Sequence, residues 1–201
     1  MQLDLSGNRL CGVDEYGEGT YTAKGITAIA DALRVNGGLT SLDLSNNLLC
    51  GVTQVGVGTY TAEGITAIAE ALRVNGGLTS INLSGNRLTN YGMDMTGIKE
   101  LAAALGVNGA LTALDLSTNR LMDEGVSAVC EAIQSNKESK LASLNFRSNG
   151  IGPGGANAVA AMVAVTGGLM TLNLSINNIG GEGEASIRNA VQEKAGFELH
   201  L

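Results

Sequence analysis

The sequence predicts an α/β solenoid, an open arc with a parallel β-sheet on its concave side and α-helices on its convex side. Three observations lead there. First, the pattern L-x-x-L-x-L-x-x-N-x-L recurs five times: "LTSLDLSNNLL" from Leu39, "LTSINLSGNRL" from Leu78, "LTALDLSTNRL" from Leu111, "LASLNFRSNGI" from Leu141 and "LMTLNLSINNI" from Leu169. Second, an apolar pattern at helical spacing follows each copy. Third, the 201 residues hold 29 Gly, one Pro, no Trp and only 3% aromatics beside 44% hydrophobic residues. A core built from Leu, Ile, Val and Ala with many similar turns suits a stack of repeats better than a one-off globule.

The elements follow in order. Within each copy the L-x-L segment alternates apolar and polar residues, which is the period of a short strand with one buried face. The Asn then marks a turn. Helical segments come next: "GITAIADALRVN", "GITAIAEALRVN", "GIKELAAALGVN", "GVSAVCEAIQSN" and "GANAVAAMVAV". Ile26, Ile29 and Leu33 fall at i, i+3 and i+7, and so do Ile65, Ile68 and Leu72. The chain opens inside a further copy, "QLDLSGNRL", and closes on a capping strand over residues 197–201, "FELHL". Repeats therefore start near 1, 39, 78, 111, 141 and 169, and residues 1–201 read as a single domain.

The pattern resembles the leucine-rich-repeat signature, and it covers essentially the whole chain. Successive starting leucines lie 39, 33, 30 and 28 residues apart. Units near the short end of that range, each with a full helix, resemble the ribonuclease-inhibitor-like subfamily. That subfamily includes the repeat domains of NOD-like receptors and of the Ran GTPase activators. The resemblance implies protein partners, and the sequence gives no sign of a cofactor.

The first two repeats are near copies. Residues 3–41 and 42–80 align without gaps and differ at eight positions. Their strand-to-helix connections carry an insertion, "YGEGTYTAKG" in the first and "VGVGTYTAEG" in the second. The glycines and the following lysine suggest a phosphate-binding loop. The lysine becomes Glu63 in the second copy, however, and the third glycine of G-x-G-x-x-G is a Thr in both. The glycines instead serve a long loop that folds back compactly.

Charge and cysteine content narrow the function classes. A net charge of −7 opposes a nucleic-acid or anionic-membrane surface. No apolar run reaches the roughly 18 residues of a membrane span. Cys11, Cys50 and Cys130 form no disulfide framework and no CxxC, so a reducing, cytoplasmic compartment is expected. Cys11 and Cys50 share one slot in stacked repeats, where they are either close enough to cross-link or reduced and half-buried. His200 stands without a Cys or His cluster, so neither a metal nor a catalytic role is expected.

Candidate binding residues fall into two zones. All four tyrosines, Tyr16, Tyr21, Tyr60 and Tyr91, lie in the insertions of the first three repeats, and so on one rim. Asp14, Glu15 and Glu18 join them in the first loop. A patch of Tyr, Gly and acid has the composition of a paratope. Tyr21 and Tyr60 occupy identical slots and have an alternative role in holding the loops down. The concave face forms the second zone, with Asp43, Asp115 and Arg147 as candidates on a small, polar, mildly acidic surface. Asn8, Asn47, Asn86, Asn119, Asn149 and Asn177 form a column read as a structural ladder that satisfies turn backbone.

The C-terminal helix carries Arg188 where earlier helices have Ala30 and Ala69, which reads as a capping face. The N-terminal edge carries no such cap. It is expected to be covered by more of a larger protein, to pair with a second copy, or to fray. The sequence thus points to a non-enzymatic protein-interaction module using rim loops, the concave face or both. Two alternatives stand beside it. One is a GTPase-activating protein using the rim arginines Arg9, Arg87 or Arg120. The other is a self-assembling array joined through the N-terminal edge, or the C-terminal fragment of a larger receptor-like protein.

Overall fold

A computed structural model describes residues 1–14, 16–53 and 55–201. Among them lie seven short strands, β1 (Gln2–Asp4), β2 (Ser41–Asp43), β3 (Ser80–Asn82), β4 (Ala113–Asp115), β5 (Ser143–Asn145), β6 (Thr171–Asn173) and β7 (Glu198–His200). Six helices alternate with them: α1 (Lys24–Val35), α2 (Glu63–Val74), α3 (Thr96–Leu105), α4 (Met122–Ser135), α5 (Pro153–Val165) and α6 (Gly180–Val191). The strands form one parallel sheet in sequence order, β1 to β7. Each helix packs on the next. The α/β solenoid expected from the repeats is what forms.

Register follows from the motif. The central leucine of each strand pairs with its equivalent, giving the row Leu3, Leu42, Ile81, Leu114, Leu144, Leu172 and Leu199. From β2 to β6 this residue is buried and its two neighbours are half-buried. A one-residue slip would turn every inward leucine to solvent, so the hydrophobic pattern fixes the pairing. Helix faces complete the core: α2 buries Ile65, Ile68, Ala69 and Leu72, and α4 buries Val126, Val129, Cys130 and Ile133.

The two ends differ. Leu3 is 41% exposed, whereas Leu42 one strand inward is 1% exposed. Ile29 is half-buried, and its equivalent Ile68 is fully buried. At the other end α6 buries only Gly183 and Ile187, and Arg188 on its surface pairs with Glu184 at 2.7 Å.

Candidate functional site

The turn after each strand is built around its asparagine. Asn86 is fully buried. Its Oδ1 accepts from the amides of Asn47 at 3.0 Å and Leu49 at 3.3 Å, both in the preceding repeat. Its Nδ2 donates to the carbonyls of Leu44 and Leu83, each at 3.0 Å. Asn47, Asn119, Asn149 and Asn177 repeat this arrangement. One side chain thus satisfies two amides that would otherwise be buried without partners, and shares its two carbonyls with the asparagines of the neighbouring repeats.

A second asparagine column closes the helix ends, and it is absent from the sequence reading. Asn75 Nδ2 donates to the carbonyls of Leu33 at 2.6 Å and Asn36 at 2.9 Å. Its Oδ1 accepts from Gly77 and Leu78. Asn108 and Asn136 do the same one and two repeats on. The signal was present in the repeated "VNGGL", "VNGGL" and "VNGAL".

Antiparallel bridges tie Val13 to Gly19 in the first long insertion and Val52 to Gly58 in the second. Gly19 sits at φ +111°, and a Cβ there would stand 2.1 Å from the Gly12 carbonyl oxygen, so the glycines serve close backbone packing. The copies differ in a coupled way. Asp14 Oδ1 accepts from the amide of Glu18, and Thr53 Oγ1 accepts from the equivalent Val57. Asp14 also faces Arg9 at 3.7 Å, while the second copy puts Leu48 in place of that arginine.

Tyr21 and Tyr60 reach into the next repeat. The Tyr21 hydroxyl donates to the Leu49 carbonyl at 2.9 Å, and Tyr60 donates to Leu88 at 2.9 Å. Burial holds both phenols well above their ordinary pKa. Tyr91 lies in a 3-10 turn over Asn90–Gly92 and has a φ of +59°. Its hydroxyl donates to the Thr53 carbonyl at 3.3 Å. Arg87 and Arg120 both lie over its ring, at 4.9 and 5.0 Å from the centroid.

These contacts join the loops into one rim. Val57 packs against Gly17 of the first loop, Tyr91 against Gly56 of the second, and Met122 against both Gly92 and Gly150. On that rim Tyr16 is 73%, Val55 79% and Met93 79% exposed. Of the sequence-predicted loop residues, Tyr16 and Glu18 face solvent, while Asp14, Tyr21, Tyr60 and Tyr91 are half-buried in loop contacts. Glu15 lies outside the described residues. The exposed Val55 and Met93 are not among the residues expected from the sequence, where tyrosines, acids and arginines mark the candidates.

A family model described as "Leucine Rich repeat" matches residues 110–130, 138–160 and 169–186. The chain thus carries leucine-rich repeats in its C-terminal half that match the family model. A structure titled "Leiomodin-1 Actin-Binding Site 2 (ABS2)" is similar at 20% identity and a TM-score of 0.54, over 66% of this chain and 75% of that one. A structure titled "Crystal structure of TLR13-ssRNA13 complex" aligns at 19% identity and a TM-score of 0.48, over 84% of this chain but only 23% of that one. No curated protein matches the sequence.

The concave face of the leucine-rich-repeat array satisfies itself. Asp43 accepts from the Ser45 amide and from Asn82 Nδ2, both at 2.8 Å. Asp115 accepts from Ser117 and Asn145 in the same way. Arg147 is exposed at its edge. The rim arginines differ from one another: Arg9 pairs with Asp14, Arg87 is buried against Tyr91, and Arg120 is exposed. Cys11, Cys50 and Cys130 are free thiols, fully buried rather than half-buried. Burial pushes the Cys11 thiol up to about 11 and the other two higher still. Among the described residues no helix is long and apolar enough to cross a membrane, and no acid, Cys or His cluster could hold a metal.

Proposed function

We propose that this chain is a non-enzymatic interaction module that grips a protein partner with its insertion-loop rim. The observation that carries this reading is the trio Tyr16, Val55 and Met93, large, exposed and on three successive loops. Each loop is pinned to its neighbour by Val57, Tyr91 or Met122. Exposed apolar side chains on a stiff frame bind at low entropic cost, since little order remains to be imposed. Asp14 and Glu18 supply a polar border, and Tyr21 and Tyr60 hold the frame. Asp43, Asp115 and Arg147 form a secondary zone on the concave face. The repeat length and full helices fit the ribonuclease-inhibitor-like subfamily, and three free thiols fit a reducing, cytoplasmic setting.

Affinity capture tests this. The bait is the chain itself, and the control carries Tyr16→Ser, Val55→Ser and Met93→Ser. All three side chains are exposed, so the control keeps its fold. A partner held by the bait and lost by the control supports the rim. Equal capture by both moves the site to the concave face or the helices. A GTP hydrolysis assay on any captured GTPase separates binding from activation.

A second reading, self-association through β1, is favoured by Leu3, which is 41% exposed on the outermost of the described strands. A mass that rises with concentration in light scattering, and falls back on Leu3→Lys, supports it.

A further inference from the structure

Between the turns of the third to sixth repeats lies a depression of about 390 Å³. Its lining includes Arg87, Arg120, Thr118, Ser148, Met122 and Ile176. Three observations meet there.

The first is charge. This chain has 19 acids against 12 bases, and Arg9, Arg34, Arg73, Lys99 and Arg188 each face a carboxylate. Among the described residues Arg120 stands in no ion pair; its partner is the Tyr91 ring, which it shares with Arg87. Carboxylates of the neighbouring elements are committed elsewhere: Asp115 to Ser117 and Asn145, and Asp123 to the Gly152 amide at 2.6 Å. Burial lowers the Arg87 pKa; Tyr91 opposes that, and the like charge of Arg120 adds a smaller lowering. An incoming anion relieves that repulsion.

The second is preorganisation. A guanidinium resting on an aromatic face keeps its N–H edge available for a two-pronged bond to a carboxylate. Thr118 and Ser148 add hydroxyl donors to the same lining.

The third is strain. The residue before the ladder asparagine has positive φ in every repeat, and it is Gly7, Asn46 and Gly85 in the first three. The fourth and sixth repeats put Thr118 at +58° and Ile176 at +58°. β-branched residues are the worst fit to that region. Both line the depression, and Ile176 is 64% exposed. The sequence keeps a strained hydroxyl and a strained apolar side chain beside the two guanidiniums.

We infer that this depression receives a carboxylate side chain of a protein partner, an Asp or Glu flanked by an apolar residue that rests on Ile176 and Met122. The inference rests on the rim-binding reading and gives the partner its chemistry.

Amide and Arg Nε–Hε NMR spectra of the full chain test it. The probe is the peptide acetyl-Leu-Glu-Glu-Leu-amide, with acetyl-Leu-Gln-Gln-Leu-amide and inorganic phosphate as the other arms. Expected are saturable shifts at Thr118, Arg120, Ser148 and Gly150 with the acidic peptide, weakened by added salt. Arg120→Gln should weaken binding about tenfold, with resonances of distant repeats unmoved. Ile176→Ser should weaken it by about threefold. Equal shifts from the Gln peptide, or none at these residues, overturn the inference. Phosphate binding there more tightly than the acidic peptide overturns it in favour of a phosphoryl group. Rim-dependent capture of a partner without peptide binding rejects this inference alone. Peptide binding without rim-dependent capture rejects the wider reading instead.

Discussion

The Tyr21 hydroxyl stands 2.9 Å from the carbonyl of Leu49, 28 residues later and one repeat on. Tyr60 meets Leu88 at the same distance and the same separation. Each ring is a tie between repeats. Tyr21→Phe and Tyr60→Phe are each expected to cost about 1 kcal/mol, the usual loss for such a bond. Melting temperature should fall by roughly 2–4 °C per variant. Tyr16→Phe, on an exposed ring, should leave it unchanged. Equal effects from all three would remove the distinction between scaffold and contact tyrosines.

Removing Asn86 should cost far more. Asn86→Ala strands the amides of Asn47 and Leu49 inside the core, at about 1–3 kcal/mol for each group left unsatisfied, while the Leu44 and Leu83 carbonyls keep the side chains of Asn47 and Asn119. Asn8→Ala, at the exposed first turn, should cost under about 1 kcal/mol. Urea melts compare the two. Because neighbouring repeats hold one another, Asn86→Ala should also split the transition, with the first two repeats unfolding early.

How much of this was legible in the sequence depends on what each feature is made of. Strand register and the first asparagine column are properties of one repeat, copied, so a single motif carries them. The second column, Asn36, Asn75, Asn108 and Asn136, was equally periodic, but the carbonyls that Asn75, Asn108 and Asn136 bond lie in the preceding repeat, and no local pattern marks them. The pairing of Tyr91 with Arg87 and Arg120 was not legible. It depends on a left-handed turn in a shortened loop, and residues 87, 91 and 120 share no spacing that marks contact. The exposed Val55 was hidden in another way: hydrophobic residues in a solenoid are read as core unless the loop geometry is known.

Ile176 offers a trade between stability and binding. Its φ of +58° suits Asn far better than Ile, and its side chain is mostly exposed. Ile176→Asn is expected to raise stability by about 1 kcal/mol, the strain released on leaving a left-handed Ile. The same change should weaken acidic-peptide binding. Thermal melts and the peptide titration read the two effects on one sample. A destabilised variant would show that Ile176 is held for packing instead.

Two glycines at matched positions should respond in opposite ways. Gly64 and Gly181 are each the second residue of a helix, α2 and α6. A Cβ on Gly64 would stand 2.4 Å from the Leu49 carbonyl oxygen and 3.2 Å from the Tyr21 hydroxyl. Around Gly181 nothing lies within 4 Å. Gly181→Ala should stabilise by about 0.5–1 kcal/mol through the unfolded chain. Gly64→Ala should destabilise by at least about 1 kcal/mol, because backbone must move. Paired melts of the two variants check the signs.

The buried thiols set an alkaline limit. Burial raises Cys11 from an ordinary 9.0 to about 11, and raises Cys50 and Cys130 further. Above pH 9.0 the unfolded chain releases these protons while the native chain keeps them. The native state then binds more protons than the unfolded one, so stability falls as pH rises. The contribution is complete below the ordinary thiol value and is lost progressively through about 11 for Cys11. The raised phenols of Tyr21 and Tyr60 act with the same sign. Denaturant midpoints across this window should decline, and less steeply in Cys11→Ala/Cys50→Ala/Cys130→Ala. At neutral pH a thiol reagent such as DTNB should leave all three cysteines unmodified in the native chain and titrate all three after unfolding. Prompt reaction of the native chain would mean that its repeats open far more often than this packing allows.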